Sequence, residues 1–298
     1  MSQVLRNACL LAAALGLSAS ARAATALAHA STAYADAKGA PLRYPEGVAC
    51  DEAGRVVVAD SANGRLVSFT FANGALLPGG EVKVAQLGYP VRLQLDGAGR
   101  VLALDQRARR IVRVTAAGAF DGFVELKGVP AARGLFPTAF RIDRAGNLYL
   151  LDAASSRVVV ADAAGTFVRQ LELPRGAVVV DLAVDGRGTV YALDGPAAAL
   201  YSAPKGAAAF KPLGPSMREY ASFPGYVVAT ERGLFVVDKN GDGLLELGPD
   251  GSFKGRQLSI GWTDGLVYYP GQVCITSRGE AFIADRNNHR VQAFTAVK

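Results

Sequence analysis

The stretch Asp238-Lys239-Asn240-Gly241-Asp242-Gly243 sets oxygen-bearing side chains at alternate positions and ends on a glycine suited to a sharp turn. That is the donor pattern of a calcium loop, where carboxylate and amide oxygens replace the ion's hydration shell. Glu246 adds a carboxylate at the ninth position. The twelfth is Pro249, so the bidentate Glu of a twelve-residue loop is missing. The spacing predicts a short hairpin that holds a structural calcium through Asp238, Asn240, Asp242 and Glu246. The alternative is a tight Asn-Gly turn with solvated acids.

Other chemistry is sparse. Beyond residue 23 the chain has two histidines, His29 and His289, which excludes three-histidine zinc chemistry. No Ser-His-Asp set can be assembled around them. Two cysteines remain in the same portion, Cys50 and Cys274, too few for a disulfide scaffold. The first 23 of the 298 residues read as a secretory signal: Arg6, an apolar run over Ala8–Leu17, and a small-x-small site at Ala21-Arg22-Ala23. Export to a bacterial periplasm or beyond is expected. No later apolar run is long enough to span a bilayer, so a soluble, monomeric mature chain is expected. Without Arg6 and Arg22 the net charge falls from +6 to +4, which does not indicate nucleic acid. The densest basic run, Gln106 to Arg110, has no interleaved aromatic and reads as a solvated turn.

These residues are positioned by a repeat. Glycine, five residues, then aspartate recurs as Gly54 to Asp60, Gly99 to Asp105, Gly146 to Asp152, Gly188 to Asp194 and Gly279 to Asp285. Gly233 to Asp238 is one residue shorter. The aspartates are 45, 47, 42, 44 and 47 residues apart, so six units fill the chain after the leader. Tyr44-Pro45, Tyr89-Pro90, Phe136-Pro137, Phe223-Pro224 and Tyr269-Pro270 open five units, and Val178-Val179 opens the fourth. Four aspartates are followed five positions later by arginine: Arg65, Arg110, Arg157 and Arg290. Each unit reads as four short strands; in the first these are Gly47–Asp51, Arg55–Asp60, Arg65–Phe71 and Glu81–Leu87. Four-stranded units of this length are propeller blades. The expected fold is all-β, a six-bladed β-propeller of four-stranded antiparallel blades over residues 44–298. Residues 24–43 are expected to supply the outer strand of the last blade and close the ring.

The last unit, Tyr269 to Phe294, resembles an NHL repeat, with Asn288-His289-Arg290 in the place of the Asn-His-Leu signature. The first unit, Tyr44 to Phe69, resembles it almost as well, and the fourth and fifth are degenerate. The resemblance implies a six-bladed propeller, as the repeat count does independently. Some propellers built on similar repeats are enzymes. Six-bladed lactonases hold calcium in the channel through carboxylates and Asn, whereas here only Asp181 and Glu46 are on offer. RNA-binding relatives use a basic face, which the modest charge and the leader argue against. The Asp238 hairpin is similar to the shorter calcium-holding hairpins of integrin-type propellers.

Two residues beyond each Pro position stand Gly47, Arg92, Ala139, Asp181, Tyr226 and Gln272. The polar four, Arg92, Asp181, Tyr226 and Gln272, are expected to line the channel, with Arg92 and Asp181 able to meet across it. Tyr44, Tyr89, Phe136, Phe223 and Tyr269 are expected around its mouth, with Trp262 nearby, as a ligand-binding patch. The plainer alternative is that the aromatics wedge between blades and the polar groups hold channel water. Cys50 and Cys274 fall on the innermost strands of the first and sixth blades, neighbours once the ring closes. They form either a disulfide across the closure or two buried thiols. The expected function is a non-catalytic scaffold, with no required cofactor, that binds a protein, peptide or envelope ligand through one face. The runner-up is a calcium-dependent hydrolase or lactonase with a diverged site.

Overall fold

The computed structural model describes residues 24, 26–132, 134–241 and 243–297. The proposed leader, residues 1–23, lies outside them. Six four-stranded antiparallel sheets are arranged as the blades of a propeller. Their innermost strands, which neighbour one another around the axis, are Gly47–Cys50, Pro90–Leu95, Pro137–Ile142, Val179–Val184, Pro224–Thr230 and Val273–Ile275. The second strands are Arg55–Asp60, Val101–Asp105, Leu148–Asp152, Val190–Asp194, Gly233–Asp238 and Ala281–Asp285, each ending on the repeated aspartate.

These second strands are almost wholly apolar because both of their faces are covered. In blade one, Val56 and Val58 pack against Phe282 and Ala284 of blade six. The alternate residues, Val57 and Ala59, pack against Leu93, Val101 and Ala103 of blade two. The core is therefore six apolar layers, one between each pair of adjacent blades. Among the described residues the only helical elements are two single 3-10 turns, Ser61–Asn63 and Arg286–Asn288.

The sixth blade takes its outer strand, Leu27–Ala33, from the N-terminus. It pairs antiparallel with Arg290–Ala296. Cys50 and Cys274 are joined in a disulfide across the same closure, with Cα atoms 5.9 Å apart.

One expectation is corrected. The fourth strand of blade one is Ala75–Val82, not Glu81–Leu87. Asn73 and Gly74 both adopt left-handed backbone, φ 51° and 79°, so the chain reverses in two residues and the outer strand begins at once. Pro78 is tolerated there because the strand is an edge.

Candidate functional site

Each repeated aspartate fixes the turn that leads into an innermost strand. Asp105 accepts hydrogen bonds from the amides of Gly88, Tyr89 and Ala108 at 2.6, 2.6 and 2.7 Å. Asp238 accepts from Ser222 and Phe223, and Asp152 from Phe136. A carboxylate at the end of one strand thereby holds the aromatic–proline corner of its own blade, so the corners surround one mouth of the channel. The arginine five positions on completes the corner in three blades. Arg65, Arg157 and Arg290 donate through Nε to Asp60, Asp152 and Asp285 at 2.7, 3.1 and 2.7 Å. Arg110 does otherwise: it stacks over Phe123 and reaches Glu125 at 2.7 Å.

Midway down, the channel is filled by a polar cluster. Asp181, fully buried, accepts from Arg141 Nη2 at 2.7 Å and from the Val227 amide at 2.9 Å. Arg92 approaches the other carboxylate oxygen, Nε to Oδ1 3.8 Å. Tyr226 lies beneath both guanidinium groups, its ring centre 5.3 Å from Arg92 and 4.6 Å from Arg141. Burial pushes the Tyr226 hydroxyl pKa up. Gln272 bridges the channel to blade two, accepting from the Leu93 amide at 2.9 Å and donating to its carbonyl at 2.7 Å. Gly47 leaves the space for it, since a Cβ there would stand 3.3 Å from the Gln272 oxygen.

The cluster divides the channel into two recesses. On the side of the disulfide is a pocket of about 180 Å³, bordered by Cys50, Cys274 and Arg141. On the aromatic–proline side is a larger cavity of about 420 Å³. Its apolar wall is Val91, Leu104, Phe136, Pro137 and Tyr269, and its charged groups are Arg92, Arg109, Lys239, Arg286 and Glu46. Glu46 accepts from Arg286 at 2.8 Å and from the Tyr89 hydroxyl at 3.2 Å. Arg109 lies over the Phe136 ring at 4.0 Å, and the Lys239 ammonium 5.6 Å from the centre of the Tyr269 ring. Burial, with Arg92 nearby, lowers the Lys239 pKa to about 8. Of the residues lining this cavity, Arg92 Nε and Thr138 Oγ1 are buried without a hydrogen-bond partner, as is Asp181 Oδ1, which lies 3.8 Å from Arg92 Nε.

The NHL repeat profile matches residues 42–69 and 267–294, the first and last blades. Around the ring the remaining blades keep the same strand order and aspartate cap, with Val178-Val179 in place of the aromatic–proline pair in blade four. This is a six-bladed propeller carrying NHL repeats. No curated protein matches the sequence. Among solved structures the chain is similar to virginiamycin B lyase from Staphylococcus aureus (TM-score 0.60, 13% identity, 85% of this chain and 95% of that one). It is also similar to a gluconolactonase from Xanthomonas campestris (0.65, 15%, 86% and 86%). A third is a chain of a nidogen/laminin complex (0.57, 16%, 74% and 81%). At such identities the likeness is one of fold.

The NHL propeller brings Arg92, Asp181, Tyr226 and Gln272 together as anticipated by their register, but as a packed plug. Gln272 and Tyr226 are each 2% exposed. Of the corner aromatics, Phe136 and Tyr269 wall the larger cavity. Tyr89 supports Glu46, and Tyr44 carries Arg286 at 5.0 Å. Phe223 and Trp262 lie outside the cavity wall. Trp262 is 75% exposed, and its carbonyl accepts from Arg290. Arg141, Arg109, Lys239 and Arg286 were not anticipated. For Lys239 and Arg286 the signal was in the register: they, like Gln106, directly follow a repeated aspartate, and that position lines the mouth cavity. Arg109 belongs to the basic run expected to be a solvated turn; the run is exposed, yet this side chain borders the cavity.

The described donors of the Asp238 hairpin do not fit a calcium ion. Both Asp238 oxygens are spent on the Ser222 and Phe223 amides, and Arg256 sits 3.0 Å from Oδ2. Arg256, from the neighbouring outer strand, stands in for the arginine that this unit lacks. Gly243 makes room for it, as a Cβ there would meet Arg256 Nη1 at 2.8 Å. Asn240 is exposed and Glu246 buried; Asp242 lies outside the described residues. Among the described residues no group of three or more His, Cys, Asp or Glu could hold a metal ion.

Proposed function

We propose that this NHL propeller is an exported, non-catalytic recognition scaffold that takes a protein, peptide or envelope ligand into the mouth on the aromatic–proline side. The observation that carries this reading is the plug. Because Asp181, Arg141, Arg92, Tyr226 and Gln272 close the channel, the mouth is a floored recess rather than a passage. Its volume, about 420 Å³, suits a small ligand or one anchoring group of a larger one. Corner aromatics and cations supply the wall, the residue types that anchor binding sites. Among the described residues no helix is long and apolar enough to cross a membrane.

The test is capture from envelope extracts with wild type, Arg109→Glu and Tyr269→Ala. Both changes sit on the rim, outside the packed plug. Partners retained by wild type and lost by both variants are expected; a full set of partners on both variants would place binding elsewhere.

A catalytic reading is favoured by one observation, the lyase and the gluconolactonase among the structural neighbours. In that case a calcium-dependent hydrolase or lactonase would draw on Asp181 and Glu46. Asp181 is tied to Arg141 and Val227, and Glu46 to Arg286, so neither is free to take an ion without breaking a buried pair. Lactone or ester turnover that needs calcium and disappears in Asp181→Ala would establish the catalytic reading over the scaffold.

A further inference from the structure

The mouth cavity is electrostatically unbalanced in a way that specifies its occupant. Four cationic side chains border it, Arg92, Arg109, Lys239 and Arg286, against one carboxylate, Glu46. That carboxylate is already matched with Arg286 at 2.8 Å. Below, Asp181 gives its short contact to Arg141 and leaves Arg92 at 3.8 Å. Arg109 and Lys239 have no carboxylate partner among the described residues; each rests on an aromatic ring instead. Arg92, 8% exposed, keeps a buried Nε without a hydrogen-bond acceptor, its nearest charge being the equally unpartnered Asp181 Oδ1 at 3.8 Å. Buried charge persists when it is compensated, and an unmatched cluster of donors in a recess is compensated by an anion. The apolar part of the lining, Val91, Leu104 and the Phe136 ring on which Arg109 rests, offers nothing to a fully hydrated ion.

We infer that the cavity binds a small organic anion, or the anionic group of a larger ligand. Arg92, Arg109 and Lys239 take its oxyanion, and Val91, Leu104 and Phe136 take its apolar body. This deepens the proposed recognition role and rests on the reading that the mouth is the binding face. The chemistry is that of an oxyanion on an apolar carrier, whether carboxylate or phosphate.

Lys239 gives the site a pH response. The groups facing it from the other blades are Arg92, Arg286, Glu46, Asp181 and the Tyr269 ring. The guanidinium groups keep their charge to high pH, whereas Lys239, with its pKa near 8, loses its own between pH 7 and 9.5. An anion held partly by its ammonium must therefore bind more weakly as pH rises.

The experiment is calorimetric titration of the full mature protein with benzoate, phenyl phosphate and the uncharged isostere benzamide, at pH 7.0 and 9.5. Benzoate stays charged throughout, so its pH response belongs to the protein. Expected is one-to-one binding of benzoate or phenyl phosphate, at least roughly tenfold tighter than benzamide. Affinity should fall roughly tenfold by pH 9.5, the size of losing one charge-assisted hydrogen bond. Lys239→Met should abolish that fall, and Arg109→Ala, an exposed change, should weaken anions at both pH values. Whichever of the two anions binds more tightly identifies the oxyanion. Benzamide binding as well as benzoate, with Arg109→Ala altering neither, would overturn the anion while leaving the mouth as binding face. No binding of any probe would overturn the anion too, and the capture experiment would then judge the mouth separately.

Discussion

At the scale of single residues, Lys239 is the informative one, because the fold holds it at a cost. Its pKa of about 8 lies below the ordinary lysine value near 10.4, so the folded chain binds that proton more weakly than the unfolded chain does. A group with a depressed folded pKa contributes its full stability above the unfolded pKa and loses it as pH falls through the folded one. Below pH 8 the charged Lys239 therefore weakens the fold, and above about pH 10.4 it does not. Lys239→Met is expected to stabilise the protein at pH 7 by up to roughly 3.5 kcal/mol, the difference between the ordinary and the folded pKa taken at about 1.4 kcal/mol for each tenfold change in proton affinity. The gain should vanish near pH 10.5. Urea unfolding at the two pH values checks this; an equal gain at both would mean that packing, not charge, is responsible. Gly225 also serves this side chain, because a Cβ there would lie 2.7 Å from Lys239 Cε. The sequence showed Lys239 only as a member of a calcium-like loop, since oxygen donors at alternate positions are a local pattern. That it faces the channel depends on the ring.

At the scale of elements, the corner and the hairpin that follows it carry the repeat. Among the described residues, the hairpin between second and third strands ends on a left-handed residue at Gly64, Arg109, Ser156, Ala198 and His289, with φ from 47° to 61°. Only blade one uses the glycine that this conformation favours, which is why the repeat is visible at the aspartates and hidden here. Ala198 pays the steric cost without a polar side chain to offset it. Ala198→Gly is expected to stabilise blade four by about 1 kcal/mol, measured as a shift in the urea midpoint. An unchanged or lowered midpoint would mean that the buried Ala198 methyl outweighs the strain. Asp152→Ala should have the opposite sign and be larger. It orphans the Phe136 amide and leaves the 4%-exposed Arg157 without its carboxylate, costing about 3–5 kcal/mol. A loss under 1 kcal/mol would remove the aspartate from the role of corner staple. The second strands were legible because both faces are buried and nearly every position is apolar. Outer strands were harder to place: Lys211–Leu213 has three residues and is largely exposed, so burial writes little into its sequence.

For the whole molecule the question is how a ring made from one chain stays shut. Three devices meet at the seam between blades one and six. The first is the strand Leu27–Ala33, which pairs along Arg290–Ala296. The second is the disulfide between Cys50 and Cys274, which spans 224 residues of sequence and by loop-closure entropy alone is worth about 5 kcal/mol. The third was not legible in the sequence, because it joins two repeats through residues that belong to neither. Asp36 accepts from Arg65 of blade one at 2.7 Å, and Tyr34 accepts from Arg290 of blade six at 3.0 Å. The N-terminal segment thus ties the aspartate–arginine corners of both seam blades together. Removing residues 24–36 exposes the edge of Arg290–Ala296 and strips both arginines of a partner. Loss of about 3–5 kcal/mol is expected from the buried Asp36–Arg65 pair alone, which for a chain of this size lowers the melting temperature by roughly 10 °C. Cys50→Ala with Cys274→Ala should lower it independently. The combined variant should lose more than the sum of the two, because each device limits the opening that the other would permit. Thermal melts of the three variants decide the matter. An unchanged melting temperature in the deletion would show that the disulfide alone closes the ring, and strict additivity would show that the two fastenings do not act on the same seam.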